Sequence, residues 1–190
     1  MSLPAAISKK PFWLVHAVFA LLIGVVVFFY TTDSRKTLSV FGQIADFSLV
    51  EKSGRAVTKE SLKGRSWIAS FIFTRCRGQC LVMNRRTKDL HRALKNTLFV
   101  SFSSDPDFDS PEVLRQYAER FDAEDNWLFL TGNKQTVNTV AVSLKLSRID
   151  EPMMHSTSFI LIDGEGNIRG YYDSNDDEAI KRLKADSRRL

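Results

Sequence analysis

The sequence has few residues of the kinds that bind soft metals or carry out thiol chemistry. It contains only two cysteines and three histidines, so a site built from sulfur and imidazole is confined to five side chains. It has no internal repeat, no low-complexity linker and no basic stripe with interleaved aromatic residues. With a formal net charge of only +5, this pattern argues against a nucleic-acid partner.

Charge is absent from one long segment near the N-terminus. Residues 11–30 contain no Asp, Glu, Lys or Arg, and a helix of that length is roughly 30 Å long, close to the hydrocarbon thickness of a bilayer. A cleaved signal peptide has a shorter apolar stretch and a small-residue cleavage site, which the sequence after Tyr30 lacks. We therefore predict a flank at 1–10, a transmembrane anchor at 11–30 and a linker at 31–42. A buried helix of a soluble protein is the alternative.

The remaining residues, 43–190, alternate between apolar and amphipathic segments. Runs that are apolar on both faces are typical of strands covered by helices on each side. They occur at Trp67–Phe73, Thr97–Phe102 and Trp127–Leu130. Further strands are predicted at Gly42–Val50, Ala56–Leu62, Ser156–Ile162 and Ile168–Tyr172, and helices at Cys76–Lys95, after the cap Ser110 and at Asn175–Leu183. This order predicts one α/β domain with a parallel or mixed sheet.

The two cysteines, Cys76 and Cys80, stand at the junction between the first of these strands and a helix. The start of a helix offers free N–H groups and the positive end of its dipole to a thiolate. Arg75 and Arg77 flank the first sulfur and favour its ionised form further. We therefore predict that both thiols are more acidic than a free cysteine.

A structural disulfide is the alternative for this pair, but a loop of about five residues contributes only about 2 kcal/mol. The dithiol alone does not choose between electron transfer and binding of Cu(I) or zinc, the metals that soft sulfur ligands select. A third ligand would decide. His16 lies in the apolar segment and His91 in a basic helical stretch, so His155, just before a buried strand, is the remaining candidate. A surface role is the other reading of His155.

Several motifs occur together and in order between about Gln43 and Tyr172. They are Phe71-Ile-Phe-Thr-Arg-Cys76 with Cys80, Val100-Ser-Phe-Ser-Ser-Asp105-Pro-Asp, Trp127-Leu-Phe-Leu-Thr-Gly132 and His155-Ser-Thr-Ser-Phe-Ile-Leu-Ile-Asp-Gly164. In these motifs the chain resembles the Sco/SenC family of copper-handling proteins. The resemblance implies a membrane anchor followed by a thioredoxin-like domain with a central mixed sheet flanked by helices.

The resemblance also implies a ligand set and a partner. By position, Cys76, Cys80 and His155 match the copper ligands of the family, whose members help to supply the dinuclear copper centre of cytochrome c oxidase. Asp105 matches an acid near that site and is a candidate for contacts around the ligands or with a partner, with a turn or helix cap as the alternative. The chain departs from the family at Arg77 and Leu81, where proline usually follows each cysteine; this removes a restriction on φ and restores an N–H.

Three functions are compatible with the dithiol. The first is a metallochaperone, not an enzyme, that binds Cu(I) only when the cysteines are reduced and therefore needs a thiol reductase. The second is a thiol-disulfide oxidoreductase that reduces cysteines of a partner protein. The third is a peroxidase. Thr74 and Arg75 only loosely match the threonine and arginine that are expected around a peroxidatic cysteine. No arginine precedes Pro11, which argues against a mitochondrial presequence. We therefore expect a single-pass protein of the bacterial inner membrane with its domain in the periplasm.

Overall fold

The computed structural model describes residues 16–25, 38–76, 78–146 and 156–190. Residues 16–25 are helical (α1) and belong to a separate unit from Leu38–Leu190. Within the described part of the chain, no helix combines the length and the apolar character needed to cross a membrane. The ends of the predicted anchor 11–30, most of the linker 31–42, Arg77 and His155 lie outside the described residues.

Strands and helices alternate from Trp67 to Ser143; three short strands precede this segment, and two strands and a helix follow it. In chain order they are β1 (Gly42–Gln43), β2 (Ser48–Glu51), β3 (Ala56–Thr58), a 3-10 turn (Glu60–Leu62), β4 (Trp67–Ile72), α2 (Gln79–Ala93), β5 (Leu98–Ser103), α3 (Pro111–Glu119), β6 (Trp127–Thr131), α4 (Lys134–Ser143), β7 (Ser158–Ile162), β8 (Asn167–Asp173) and α5 (Asp177–Ser187).

The described strands form one mixed sheet in the order β1-β8-β7-β4-β5-β6-β2-β3. The central strands β4, β5 and β6 are parallel, whereas β7 and β2 run antiparallel to their neighbours β4 and β6. Every residue of β4 and β5 is buried, which is expected when both faces of a sheet are covered. The predicted mixed α/β architecture is confirmed.

Alternate residues of β4 point to two separate cores, as the two-residue period of a strand requires. Trp67 and Phe71 pack on the face covered by α4. Ile68 and Ile72 pack on the opposite face, together with buried side chains of α2, α3 and α5. Helix α2, which contains Cys80, is therefore held against the sheet by the second core.

Local turn chemistry explains where the prediction of the first strands is wrong. The segment predicted as one strand from Gly42 to Val50 is two strands, which pair with different neighbours, β8 and β6. The strand predicted to continue to Leu62 ends at Thr58. There Thr58 and Ser61 exchange bonds between backbone N–H and side-chain hydroxyl groups at 3.0 and 3.1 Å, which close a turn.

Helix α3 begins as predicted, because Ser110 accepts a hydrogen bond from the Val113 N–H at 3.3 Å and Pro111 occupies the first helical position. Helix α4 was not predicted. Its sequence is rich in Val and Thr, which have modest helix propensity, but Asn133 caps it by accepting from the N–H groups of Gln135 and Thr136.

The carboxyl ends of the three parallel strands lie at the same edge of the sheet. We call this the carboxyl edge and define it by Ile72, Ser103 and Thr131, the last residues of β4, β5 and β6. Strand β7 runs in the opposite direction, and Ala69 pairs with Ile160. The first residue of β7, Ser158, therefore also lies at the carboxyl edge.

Candidate metal centre

The two cysteines lie where β4 gives way to α2 at the carboxyl edge. Cys76 is in the connecting loop, with its N–H donating to the Phe73 carbonyl oxygen at 3.2 Å, and Cys80 is in the first turn of α2. The helix was predicted to begin at Cys76, but it begins three residues later, with Gly78 as its N-cap. Helix α2 therefore begins after Cys76 in sequence. The free N–H groups at the start of the helix can donate to the Cys76 sulfur, which lies outside the helix.

The cysteines are both free thiols with different surroundings. Cys76 is partly exposed, whereas Cys80 is 5% exposed and packed at the start of α2. The Cys80 thiol donates a hydrogen bond to the Cys76 sulfur. The fold thus places the two thiols next to each other, one partly exposed and the other buried.

The pKa of the Cys76 thiol is lowered from its ordinary value. Burial alone would raise this pKa, but the N–H groups of Cys80 and Gly78 and the thiol of Cys80 donate hydrogen bonds to the sulfur, and together they outweigh burial. Hydrogen bonds to the charged form of a group favour ionisation. The prediction of a more acidic thiol is confirmed for Cys76.

The same prediction is wrong for Cys80. Burial raises the pKa of the Cys80 thiol to about 11, and both its hydrogen bond to Cys76 and the nearby charges of Cys76 and Asp109 add to the increase. A hydrogen bond from the Phe73 backbone N–H to the Cys80 sulfur lowers this pKa, but desolvation is the larger effect. The pair therefore consists of one reactive and one protected thiol.

We expect this difference to appear in alkylation. When the reduced chain is treated briefly with iodoacetamide near pH 7.5, Cys76 should be modified at least about tenfold faster than Cys80, because the thiolate is the nucleophile. Raising the pH should bring Cys80 into reaction only as the pH nears its pKa of about 11. Mass spectrometry of the two peptides measures both rates, and equal rates at neutral pH would contradict this assignment.

A buried carboxylate, that of Asp109, holds the loop that precedes Cys76. Asp109 is fully buried and accepts hydrogen bonds from the Thr74 N–H at 3.2 Å, the Thr74 hydroxyl at 2.5 Å and the Ser103 hydroxyl at 2.6 Å. These bonds tie the residues before Cys76 to the end of β5. Sequence reasoning missed Asp109, although its position shortly after a predicted buried strand was a usable signal, since strand ends of a parallel sheet meet at one edge.

Asp105 lies beside the dithiol loop, where it binds Arg75. The Arg75 Nε donates to the Asp105 carboxylate at 3.1 Å, and a second, shorter contact through Nη2 completes the ion pair. The guanidinium also stacks over the ring of Phe108 at 4.4 Å. Because Asp105 balances the charge of Arg75, the N–H donors described above, and not this arginine, lower the pKa of Cys76.

The residue after Cys80 uses its backbone N–H. Leu81 donates to the Gly78 carbonyl oxygen at 3.0 Å in the first turn of α2. Proline has no N–H and could not make this bond. The departure at Leu81 therefore adds a hydrogen bond to the turn that presents Cys80.

The structure does not test the third candidate ligand directly, because His155 lies outside the described residues. Within those residues, no group of three or more His, Cys, Asp and Glu side chains could hold a metal ion. His91 is buried, hydrogen-bonded to Asn126 and packed against Phe99 and Trp127, so its role is structural. The chain re-enters the described region at Ser156, two residues before β7 begins at the carboxyl edge.

Three solved structures that resemble this chain have Sco or SCO1/SenC names. A SCO1/SenC family lipoprotein of Bacillus anthracis has a TM-score of 0.71 and 29% identity, over 78% of this chain and 95% of that chain. BsSco, named as a cytochrome c oxidase assembly protein with a disulfide switch, has a TM-score of 0.68 and 29% identity, over 80% and 97%. ScoI of Bradyrhizobium japonicum with copper bound has a TM-score of 0.64 and 25% identity, over 78% and 100%.

Sequence comparison agrees with the structural likeness. The SCO1 protein homolog of Bacillus subtilis is 31% identical over 160 residues, which are 76% of this chain and 83% of that protein. The SCO1/SenC family model matches residues 37–189, which include the whole sheet and both cysteines. The chain belongs to the SCO1/SenC family.

Proposed function

We propose that the chain is a membrane-tethered metallochaperone that binds Cu(I) and delivers it to the copper-bearing subunit of cytochrome c oxidase. One observation carries the proposal: two free thiols lie next to each other at the carboxyl edge, and one of them is partly exposed. Thiolates are soft ligands and select Cu(I) over hard cations. The copper bound to ScoI and the name of BsSco support the same role.

The ligands in this proposal are the thiolates of Cys76 and Cys80 and a neutral nitrogen of His155. Two observations support the inclusion of the histidine. Ser156, its neighbour in sequence, begins the segment that leads into β7, and β7 starts at the edge where β4 ends and the cysteines follow. A binding site closed by an imidazole suits Cu(I), which accepts both sulfur and nitrogen ligands.

Copper loading in this proposal depends on the redox state. Oxidation of the dithiol forms a Cys76–Cys80 disulfide with loss of two electrons and two protons, and neither sulfur then remains as a thiolate ligand. Reduction returns two electrons and two protons from a partner dithiol, which itself becomes a disulfide. A thiol reductase is therefore a second partner, because the bacterial periplasm is kept oxidising.

The proposal includes a single-pass anchor at 11–30 in a bacterial inner membrane, with the folded domain in the periplasm. The helical residues 16–25 support it, because large apolar side chains such as Phe19 and Leu21 are exposed within their own unit. The B. anthracis relative is a lipoprotein, which is also a membrane-associated form.

Asp105, beside the loop, is proposed as a contact for Arg75 that keeps the approach to Cys76 ordered.

The experiment on this function compares wild type with His155→Ala. In competition with a chromophoric chelator, the reduced full-length chain in detergent should bind about one Cu(I) per chain. His155→Ala should weaken the Cu(I) affinity by about tenfold or more, because it removes one ligand. A tenfold loss corresponds to about 1.4 kcal/mol. A reduced chain that takes up no Cu(I), or an affinity unchanged in His155→Ala, would refute the ligand set.

A second candidate function, thiol-disulfide exchange, is favoured by the difference between the two thiols. A reactive thiol of lowered pKa next to a buried thiol with a pKa of about 11 is the arrangement of an attacking and a resolving cysteine. If exchange is the function, His155→Ala keeps the rate at which the chain reduces a model disulfide, whereas Cys76→Ser loses it. Copper delivery predicts that His155→Ala impairs metal binding.

A further inference from the structure

A large open cavity lies at the end of the sheet opposite the dithiol. We call this end the amino edge and define it by Trp67 and Leu98, the paired first residues of β4 and β5. The cavity has a volume of about 730 Å³ and is lined by residues just before these strands and by the ends of α2 and α5. A six-residue strand such as β4 is roughly 20 Å long, so the cavity is separate from the dithiol.

The charged side chains around this cavity are basic. They are Arg65 in the loop before β4, Arg92 in the last turn of α2, Lys95 just after α2 and Arg188 at the end of α5. All four are exposed, so a ligand in solution can reach them. No Asp or Glu is among the described residues that line the cavity, and the terminal carboxylate of Leu190 is the one acidic group that they bring there. The cavity is therefore an electropositive surface.

None of these four cations has an ion-pair partner among the described residues. Elsewhere on the domain basic side chains do pair with acids, as Arg86 does with Asp177 at 2.7 Å. Arg92 acts on the Asp122 carboxylate only at longer range, and that carboxylate binds Lys88. Cations that are brought together without acids repel one another, so an anion bound between them would be stabilised.

The ends of two helices balance part of this charge. Cations stabilise the negative end of a helix dipole, and Arg92 and Arg188 lie at such ends. Each helix end carries about half a negative charge, so the two ends and the Leu190 carboxylate together balance about two of the four positive charges. An excess of about two positive charges remains, which the capping of helices does not explain.

The backbone around the cavity is held by contacts between distant segments. The hydroxyls of Thr97 and Ser187 are hydrogen-bonded at 2.9 Å, which ties the start of β5 to the end of α5. The Gly64 N–H donates to the Gly164 carbonyl oxygen at 2.9 Å, which fixes the loop that carries Arg65. These bonds keep the segments that supply the cations in place, so the cavity is formed before any ligand binds.

We propose that the amino-edge cavity binds a phosphate group, supplied either as free phosphate or as the headgroup of an anionic phospholipid. A phosphate monoanion or dianion matches the excess of positive charge. Guanidinium groups pair with two phosphate oxygens at once, and Arg65 and Arg188 provide such groups from two different parts of the fold. This site does not depend on the dithiol or on copper.

The test titrates the full-length chain in a non-ionic detergent with inorganic phosphate, at low and constant salt because salt screens exposed charges. Isothermal titration calorimetry should show one phosphate per wild-type chain. Arg65→Gln/Arg188→Gln should bind phosphate at least about tenfold more weakly, because it removes hydrogen bonds to a charged group. The matched control Arg55→Gln/Arg85→Gln removes the same charge from two exposed arginines outside the cavity, and its affinity should stay within twofold of wild type.

A second titration identifies the source of the phosphate group. Its probe is glycerophosphoglycerol, the water-soluble headgroup of phosphatidylglycerol. Tighter binding of this probe than of inorganic phosphate assigns the cavity to a lipid headgroup, and the reverse order assigns it to free phosphate; both results support the proposal if they depend on Arg65 and Arg188. The proposal is overturned if wild type binds neither probe, or if the control variant weakens binding as far as Arg65→Gln/Arg188→Gln does.

Discussion

The variants Cys76→Ser and Cys80→Ser are each expected to lose Cu(I) binding almost completely, by on the order of a thousandfold in affinity, or about 4 kcal/mol. Serine has nearly the shape of cysteine, but its hydroxyl is a hard ligand and does not ionise near neutral pH. The remaining cysteine is a single sulfur ligand. Competition of the reduced full-length variants with a chromophoric chelator measures the loss.

The control for these variants is Val82→Ala, in the same turn of α2. Val82 is 46% exposed, so shortening it disturbs neither the core nor the sulfur atoms. Its Cu(I) affinity should equal that of wild type. A Cys80→Ser chain that still binds Cu(I) as wild type does would show that the buried sulfur is not a ligand, although it lies next to Cys76.

The variant Asp109→Ala is expected to destabilise the reduced domain by about 2–4 kcal/mol. Removing the carboxylate leaves three donors without an acceptor in a buried site, namely the Thr74 N–H and the hydroxyls of Thr74 and Ser103, and each costs about 1 kcal/mol or more. Trp67 and Trp127 are buried in the two cores. Tryptophan fluorescence during denaturant unfolding therefore measures the free energy of unfolding.

Asp107→Asn is the matched control for Asp109→Ala. Asp107 is an aspartate in the same loop, but it is exposed and pairs with exposed Lys134 at 3.1 Å. Exposed pairs contribute little, so this variant should change the free energy of unfolding by less than about 0.5 kcal/mol. Equal effects of the two variants would mean that the loop is not held by the buried carboxylate.

The central sheet was predictable from the sequence because strands buried on both faces leave an unbroken apolar run. Trp67–Phe73 and Trp127–Leu130 could be recognised for that reason, and their observed strands differ by a residue at one end. The cap at Ser110 was also predictable, since a cap depends on neighbours in sequence. Copper-binding relatives and the family match agree with the function class that the motifs suggested.

The state of each thiol could not be predicted in the same way. Whether donors or desolvation dominate at Cys80 depends on the packing of α2 against the second core, which the spacing of the cysteines does not report. Asp109 was missed for a related reason. It acts through Thr74, which lies 35 residues away in sequence, so its role appears only when the chain is folded.

The most direct test of copper carriage is a metal analysis of one preparation in two redox states. The full-length chain is divided, one half reduced and the other oxidised to the Cys76–Cys80 disulfide, and both are exposed to Cu(I) and freed of excess metal. The account predicts about one copper per reduced chain and none per oxidised chain, because the disulfide provides no thiolate ligands. Equal copper in the two halves, or none in either, would contradict it.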